Sequence, residues 1–207
     1  MAGRFYNHIL IILLVMIEVQ NVVVFAQPIV SQNTNRKIMR FINVEIKAKC
    51  FHPQKVEAFL LSANARFVGT DHQTDVYFNC PNGRLKLRKG NIENNLIFYD
   101  RPNQKGPKQS NFQLTPVADA EAMQQILTTA FGVKVVVEKK RRIYYINNIK
   151  VHLDELTGLG NFVEIEAGNL IDPSKTIEEL TAQCAMLMEA FGIEQQHLID
   201  KSYSDMV

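Results

Sequence analysis

The chain has 207 residues, of which 46% are hydrophobic and 21% charged, and its formal net charge is +2. That length and apolar content suit one domain with one substantial core. So small a net charge excludes bulk attraction to nucleic acid or to a membrane surface, and any electrostatic function must come from local clustering.

Residues 1–40 stand apart from that core. Arg4 and His8 precede an apolar run over 9–17; Glu18, Gln20 and Asn21 interrupt it, and apolar residues resume over 22–26. With small residues at Val24 and Ala26, this is the pattern of a secretory signal peptide over 1–26, cleaved after Ala26. The uninterrupted run is shorter than the ~20 residues of a spanning helix. The chain is therefore expected to be secreted, with no stable membrane insertion after cleavage; an uncleaved signal anchor is the alternative. Residues 27–40 read as a polar linker, and 41–207 as the domain. Cys50, Cys80 and Cys184 are too few and too scattered for a disulfide framework or a zinc site.

Residues 43–49 alternate strictly, placing Asn43, Glu45, Lys47 and Lys49 on one face of a strand and Val44, Ile46 and Ala48 on the other. Val56, Phe59, Leu60 and Ala63 then follow helical spacing. Strands are expected over 75–78, closed by the turn Pro81-Asn82-Gly83, over 84–88, ended by Gly90, and over 96–101. Residues 102–110 read as a long polar loop. Asp119 is placed to cap a helix whose stripe is Met123, Ile126, Leu127, Ala130 and Phe131, stopped by Gly132. Strands follow over 133–142, 149–154 and 163–167. Thr176-Ile177-Glu178-Glu179 has the form of a capping box opening a helix through Leu180, Cys184, Leu187 and Phe191. The reading gives a mainly β chain with helices (α+β), about eight strands whose short connections suit antiparallel neighbours.

Several strands repeat one signature. Lys47 and Lys49, Arg84, Lys86 and Arg88, Arg101, Lys139 and Arg141, and Lys150 are cations on one strand face, and Glu45, Asp154, Glu164 and Glu166 are acids placed the same way. For one strand this is what any solvated face looks like. Across six strands a solvated face would mix in more neutral residues. The opposite faces (Val44, Ile46, Ala48; Leu85, Leu87; Val151, Leu153; Val163, Ile165) are apolar and suited to cover by helices. If the sheet closes into a barrel with helices outside, the ionic faces point inward. Such an interior needs a filler, and a polyanion with divalent metal ions fits: cations bind phosphate oxygens and carboxylates hold the metal.

These residues resemble the CYTH superfamily, the triphosphate tunnel metalloenzymes, which includes class IV adenylyl cyclases and thiamine triphosphatases. The family's opening Glu-x-Glu-x-Lys reads Asn43-Val44-Glu45-Ile46-Lys47 here, with Asn43 in the first Glu position. Further matches are Asp75-Val76-Tyr77-Phe78, Gly83-Arg84-Leu85-Lys86-Leu87-Arg88, Tyr99-Asp100-Arg101, Lys139-Lys140-Arg141, His152-Leu153-Asp154, the stretch 158–166 ending Val163-Glu164-Ile165-Glu166, and the closing Ser202-Tyr203-Ser204-Asp205. The resemblance implies an eight-stranded antiparallel closed β-barrel, a tunnel for the triphosphate, with helices packed outside and Mg²⁺ or Mn²⁺ as cofactor. By the same carry-over Glu45, Asp154, Glu164 and Glu166 are metal ligands. Lys47, Lys86, Arg88, Arg101, Lys139 and Arg141 grip phosphate, with Lys49 and Lys150 added by parity. Glu45, Lys47, Glu164 and Glu166 are expected to carry catalysis, and His152 is a candidate general base. The expected function is metal-dependent hydrolysis of a small-molecule triphosphate (ATP, thiamine triphosphate or tripolyphosphate). The alternatives are conversion of ATP to cyclic AMP, and non-catalytic binding of nucleotides or polyphosphate, to which the missing carboxylate at Asn43 points.

Overall fold

The computed structural model describes residues 41–100, 103–169 and 172–207, so the signal peptide and linker expected over 1–40 lie outside the described residues, as does Arg101. The strands are β1 (Phe41–Lys49), β2 (Arg66–Phe78), β3 (Arg84–Lys89), β4 (Asn95–Asp100), β5 (Lys108–Pro116), β6 (Val133–Ile146), β7 (Ile149–Leu156) and β8 (Gly160–Gly168). They form a closed barrel in the spatial order β1-β5-β4-β3-β2-β6-β7-β8, and the paired neighbours are antiparallel. The seam pairs the first strand with the last, from Asn43 opposite Gly168 to Lys49 opposite Phe162. Closure removes every sheet edge and divides each strand into an inner and an outer row of side chains.

The outer row of the seam strands is the main core. Val44, Ile46, Ala48, Val151, Leu153, Val163, Ile165 and Ala167 are buried against Val56 and Leu60 of α1 (Pro53–Ser62) and Leu180, Cys184 and Leu187 of α3 (Ile177–Ala190). Complete burial of a leucine such as Leu60 or Leu180 contributes about 1.5–3 kcal/mol before chain entropy is set against it. Leu127 of α2 (Ala120–Phe131) covers Val76, Phe78 and Leu87 in the same manner. The helices are bounded as their sequences require. Asp119 accepts a hydrogen bond from the Ala122 amide. Thr176 and Glu179 make both bonds of a capping box, which satisfies amides that the first turn leaves without partners.

The structure departs from the sequence reading where both faces of a strand are polar. β2 begins at Arg66, nine residues before the expected start at Asp75, because Asp71 and Gln73 point into the barrel and His72 and Thr74 lie on its other face, so no apolar period marks it. β5 is an unexpected strand. The expected loop over 102–110 ends at Lys108, where a segment begins whose inner row, Lys108, Ser110, Phe112 and Leu114, mixes charge, hydroxyl and apolar groups. β6 extends to Ile146, and β7 and β8 are each longer than expected. The three cysteines are free, with Cys50 and Cys184 buried.

One turn ties this scaffold to its interior. Asp71, fully buried, accepts hydrogen bonds from Gln73 Nε2 (2.7 Å) and from the backbone amides of Ile92 (2.9 Å) and Glu93 (3.1 Å), drawing the β3–β4 connection against β2. Gly90 allows that approach: a Cβ there would lie 2.5 Å from Asp71 Oδ1 and 2.7 Å from Oδ2. Gly90→Ala is therefore expected to destabilise the fold by about 1–3 kcal/mol in equilibrium urea unfolding, the usual scale for overpacking. A midpoint equal to wild type would show that the turn yields freely.

Candidate functional site

The inner rows enclose a cavity of about 780 Å³, counting its open mouth. Its walls differ in chemistry. Strands β2, β3 and β6 supply a cationic wall, β1, β7 and β8 a mixed wall rich in carboxylates, and β4 and β5 an apolar wall of Ile97, Phe112 and Leu114 beside the hydroxyls of Tyr99 and Ser110.

The cationic wall is built around Asp75. Arg88 donates to it through Nε (2.8 Å) and Nη2 (3.1 Å), Lys86 Nζ lies 3.1 Å from Oδ2, and Lys139 Nζ 2.6 Å from the same oxygen. Burial would raise the Asp75 carboxyl, but the charges of Arg88, Lys139 and Lys86 hold it well below the usual carboxylate range. Burial also acts on Lys139. Against the pull of Asp75, and with Arg88, Arg141 and Lys86 nearby, it brings that ammonium group down to about 7. Glu93, delivered by the Gly90 turn, accepts from Arg88 Nη1 (2.9 Å) and Lys150 Nζ (2.5 Å). Burial would raise its carboxyl, and Lys150 and Arg88 reverse that and keep it ionised.

The carboxylates follow from strand register. Glu45 lies opposite Glu166, which lies opposite Lys150; Lys47 lies opposite Glu164, which lies opposite His152. Two adjacent rows thus carry three glutamates, two lysines and one histidine across the seam. Glu164 is 3.0 Å from Lys47 Nζ and 2.6 Å from Arg141 Nη2, and these cations hold its carboxyl well below the usual range although burial opposes them. Burial pushes the His152 imidazole down, helped by Arg141, so the ring is neutral at pH 7. His152, Glu164 and Glu166 each offer a ligand atom, all within 4.8 Å of one another. Two carboxylates and a neutral imidazole fit a divalent cation by donor chemistry.

The expected site residues distribute as follows. Glu45, Lys47, Lys86, Arg88, Lys139, Arg141, Lys150, Glu164 and Glu166 all line the one cavity. Asn43 lines it beside Glu45, so the position where the family signature has its first Glu presents an amide. Asp154 and Lys49 do not line it. Both Asp154 oxygens are held by Arg141, at 2.6 and 2.5 Å, and one also accepts from the Tyr203 hydroxyl at 2.8 Å, so this carboxylate braces a guanidinium. Lys49, at the strand end, donates to the Leu159 carbonyl and lies 4.1 Å from the centre of the Phe162 ring.

Several groups in or beside the cavity escape sequence reasoning. Asp75 and Tyr77 do carry a signal, since 75–78 alternates and places both with the cations across the sheet. Lys108, buried under the segment that follows α3, lies where the sequence reads as a loop, and its Nζ contacts the Ile199 carbonyl at 3.3 Å. Glu93 sits in a turn, where no periodicity predicts direction. The chain's last segment adds Ser202, whose Oγ lies 2.9 Å from the Tyr99 hydroxyl, and Tyr203, whose ring centre lies 3.7 Å from Lys47 Nζ.

Comparison with known proteins agrees with this geometry. Residues 42–203 match the model of the CYTH domain. The chain is 29% identical over 184 residues to a Methanocaldococcus jannaschii protein named "Putative adenylate cyclase", covering 80% of this chain and 98% of that one. It is 25% identical over 168 residues to adenylate cyclase CyaB of Aeromonas hydrophila, covering 77% and 85%. A solved structure from Pyrococcus horikoshii superposes with a TM-score of 0.68 at 23% identity, over 80% of this chain and 99% of that one. HpAC1 from Hippeastrum, described as having a dominant triphosphatase activity, gives 0.54 at 14% identity over 77% and 91%. With that match over nearly the whole described region, and an ionic interior inside a closed eight-stranded barrel, the chain belongs to the CYTH domain family.

Proposed function

We propose that this protein is a metal-dependent phosphohydrolase that cleaves a terminal phosphoanhydride bond of a small-molecule triphosphate. The observation that carries this reading is the segregation inside the tunnel: Lys86, Arg88 and Lys139 crowd one carboxylate, while Glu164, Glu166 and Glu45 face the cavity from the seam. The first group binds phosphate oxygens and the second holds a divalent cation. When bound there, Mg²⁺ or Mn²⁺ polarises a phosphoryl oxygen and acidifies water.

The chain's own residues do the rest. In exchange for part of their contact with Asp75 and Glu93, Arg88, Lys86, Lys139 and Lys150 hold the phosphate chain straight and absorb charge that develops on the leaving group. Arg141, braced by Asp154, keeps its guanidinium aimed at Glu164 and stops that carboxylate from rotating away. Lys47 does the same from the other side. A second reading, cyclisation of ATP, is favoured by the apolar wall of Ile97, Phe112 and Leu114, which suits a nucleobase, and by the names of the two sequence relatives. Export by the leader over 1–26 belongs to the same proposal and weighs against the cyclase, because ATP is scarce outside cells.

The purified protein, incubated with ATP, thiamine triphosphate or tripolyphosphate and either metal, is expected to release orthophosphate. Cyclic AMP as the main product would replace this reading with the second, and tight binding without turnover would leave a binding protein. Glu164→Ala is expected to lower metal-dependent turnover by about 100-fold or more, with circular dichroism unchanged; undiminished turnover would sink the site assignment.

A pH dependence follows from Lys139. Its ammonium form, which attracts phosphate, predominates below about 7 and is lost as pH rises. Tripolyphosphate affinity, measured by calorimetry without metal, is expected to fall between pH 6 and 8.5 relative to Lys139→Arg, whose charge persists. Parallel pH profiles for the two proteins would contradict this. The same shift has the opposite sign for stability. The folded state holds fewer protons than the unfolded one from about 7 up to the ordinary lysine value, so Lys139 makes the fold more stable as pH rises through that window.

A further inference from the structure

We propose that His152 is a nitrogen ligand to the tunnel's metal ion, and that this makes the site select a transition-metal divalent ion over Mg²⁺. The inference rests on the carboxylate metal site proposed above and goes beyond it in ligand set and ion.

His152 Nδ1 lies 3.4 Å from Glu164 Oε2 and 3.5 Å from Glu166 Oε1. Both distances are long for hydrogen bonds to a carboxylate, which are shorter when charge-assisted, and the near equality favours neither oxygen. They lie at or just beyond the roughly 3.0–3.4 Å that separates adjacent donors around an ion with bonds of about 2.1 Å, so the three groups would draw slightly together on a bound cation. The imidazole is buried, at 1% exposure, and its Nδ1 faces the two carboxylates, so a cation shared with them would give that nitrogen a closer partner. Among the described residues Nε2 has no hydrogen-bond partner, and a cation at Nδ1 leaves it so. Strand register makes the arrangement specific: His152 is directly opposite Glu164, and Glu166 is two residues along the same strand face.

An imidazole among oxygen ligands changes selectivity. Mg²⁺ is a hard ion that prefers oxygen, retains water and tolerates little departure from an octahedron. Imidazole nitrogen raises affinity along the first transition series. His152 therefore tilts a site that two glutamates alone would leave to Mg²⁺.

The test titrates metal ions alone into the full chain, without any triphosphate. Calorimetry is expected to show Mn²⁺ binding at least about tenfold more tightly than Mg²⁺. Pulsed electron paramagnetic resonance of bound Mn²⁺ is expected to show hyperfine coupling to an imidazole nitrogen. His152→Phe is expected to lose that coupling and to bind Mn²⁺ about 10- to 100-fold more weakly, with Mg²⁺ affinity changed less than about threefold. Bound Mn²⁺ without nitrogen coupling in the wild-type protein would overturn the proposal, and that measurement decides the matter even if the variant does not fold. Glu166→Gln separates the two levels of inference. If it loses Mn²⁺ while His152→Phe binds as wild type, the carboxylate site stands and the histidine's role falls; if it too binds as wild type, both fall.

Discussion

Asp75 and the three cations around it set the terms for the rest of the tunnel. Placing an arginine and two lysines inside a barrel is prohibitive unless something offsets the lost hydration, and the Coulomb attraction of one well-placed carboxylate offsets some of it. It does not offset all of it. One negative charge faces three positive ones while Lys139 is protonated, so this wall keeps a positive surplus, which the proposed polyphosphate ligand would neutralise. The wall is therefore stable enough to fold and incomplete enough to bind. Glu93 refines that balance by occupying Arg88 and Lys150, so an incoming phosphate must compete with a resident carboxylate.

The seam works by a different rule. Glu164 is held between Lys47 and Arg141, which keeps it ionised and fixed. For the proposed cation site, an ionised and immobile Glu164 beside His152 and Glu166 is organisation in place before any ion arrives, and such organisation removes much of the entropic penalty of binding. Asp154 and Tyr203 contribute indirectly. They direct their polar atoms at each other and at Arg141, and so decide where that guanidinium points.

How much of this is legible in the sequence depends on contrast between strand faces. Where one face is ionic and the other apolar, as over 43–49, 84–88 and 163–167, alternation identifies both the strand and its inward residues. Where the outer face is also polar, as in the first half of β2, or the inner face mixed, as in β5, no period survives and the segments escape notice. That is why Lys108 is missed while Lys86 and Arg88 are found. Glu93 and Ser202 reach the cavity from a turn and from the terminal segment, where direction depends on contacts distant in sequence. The family motifs recover the order of the strands. They do not distinguish Asp154, which serves an arginine, from Glu164, which faces the cavity.

The pairing of β1 with β8 has a consequence for how the molecule comes into being. Glu45 meets Glu166, and Lys47 meets Glu164, across more than a hundred residues of intervening chain. Pairings that distant are slow to form, because the loop they close must be ordered before any contact compensates for it. During synthesis the strand bearing Glu45 waits until nearly the whole domain has left the ribosome. His152, Glu164 and Glu166 already share the β7–β8 hairpin, but Glu45 and Lys47 join them only across the seam, so the complete ionic row is itself a report that the barrel has closed.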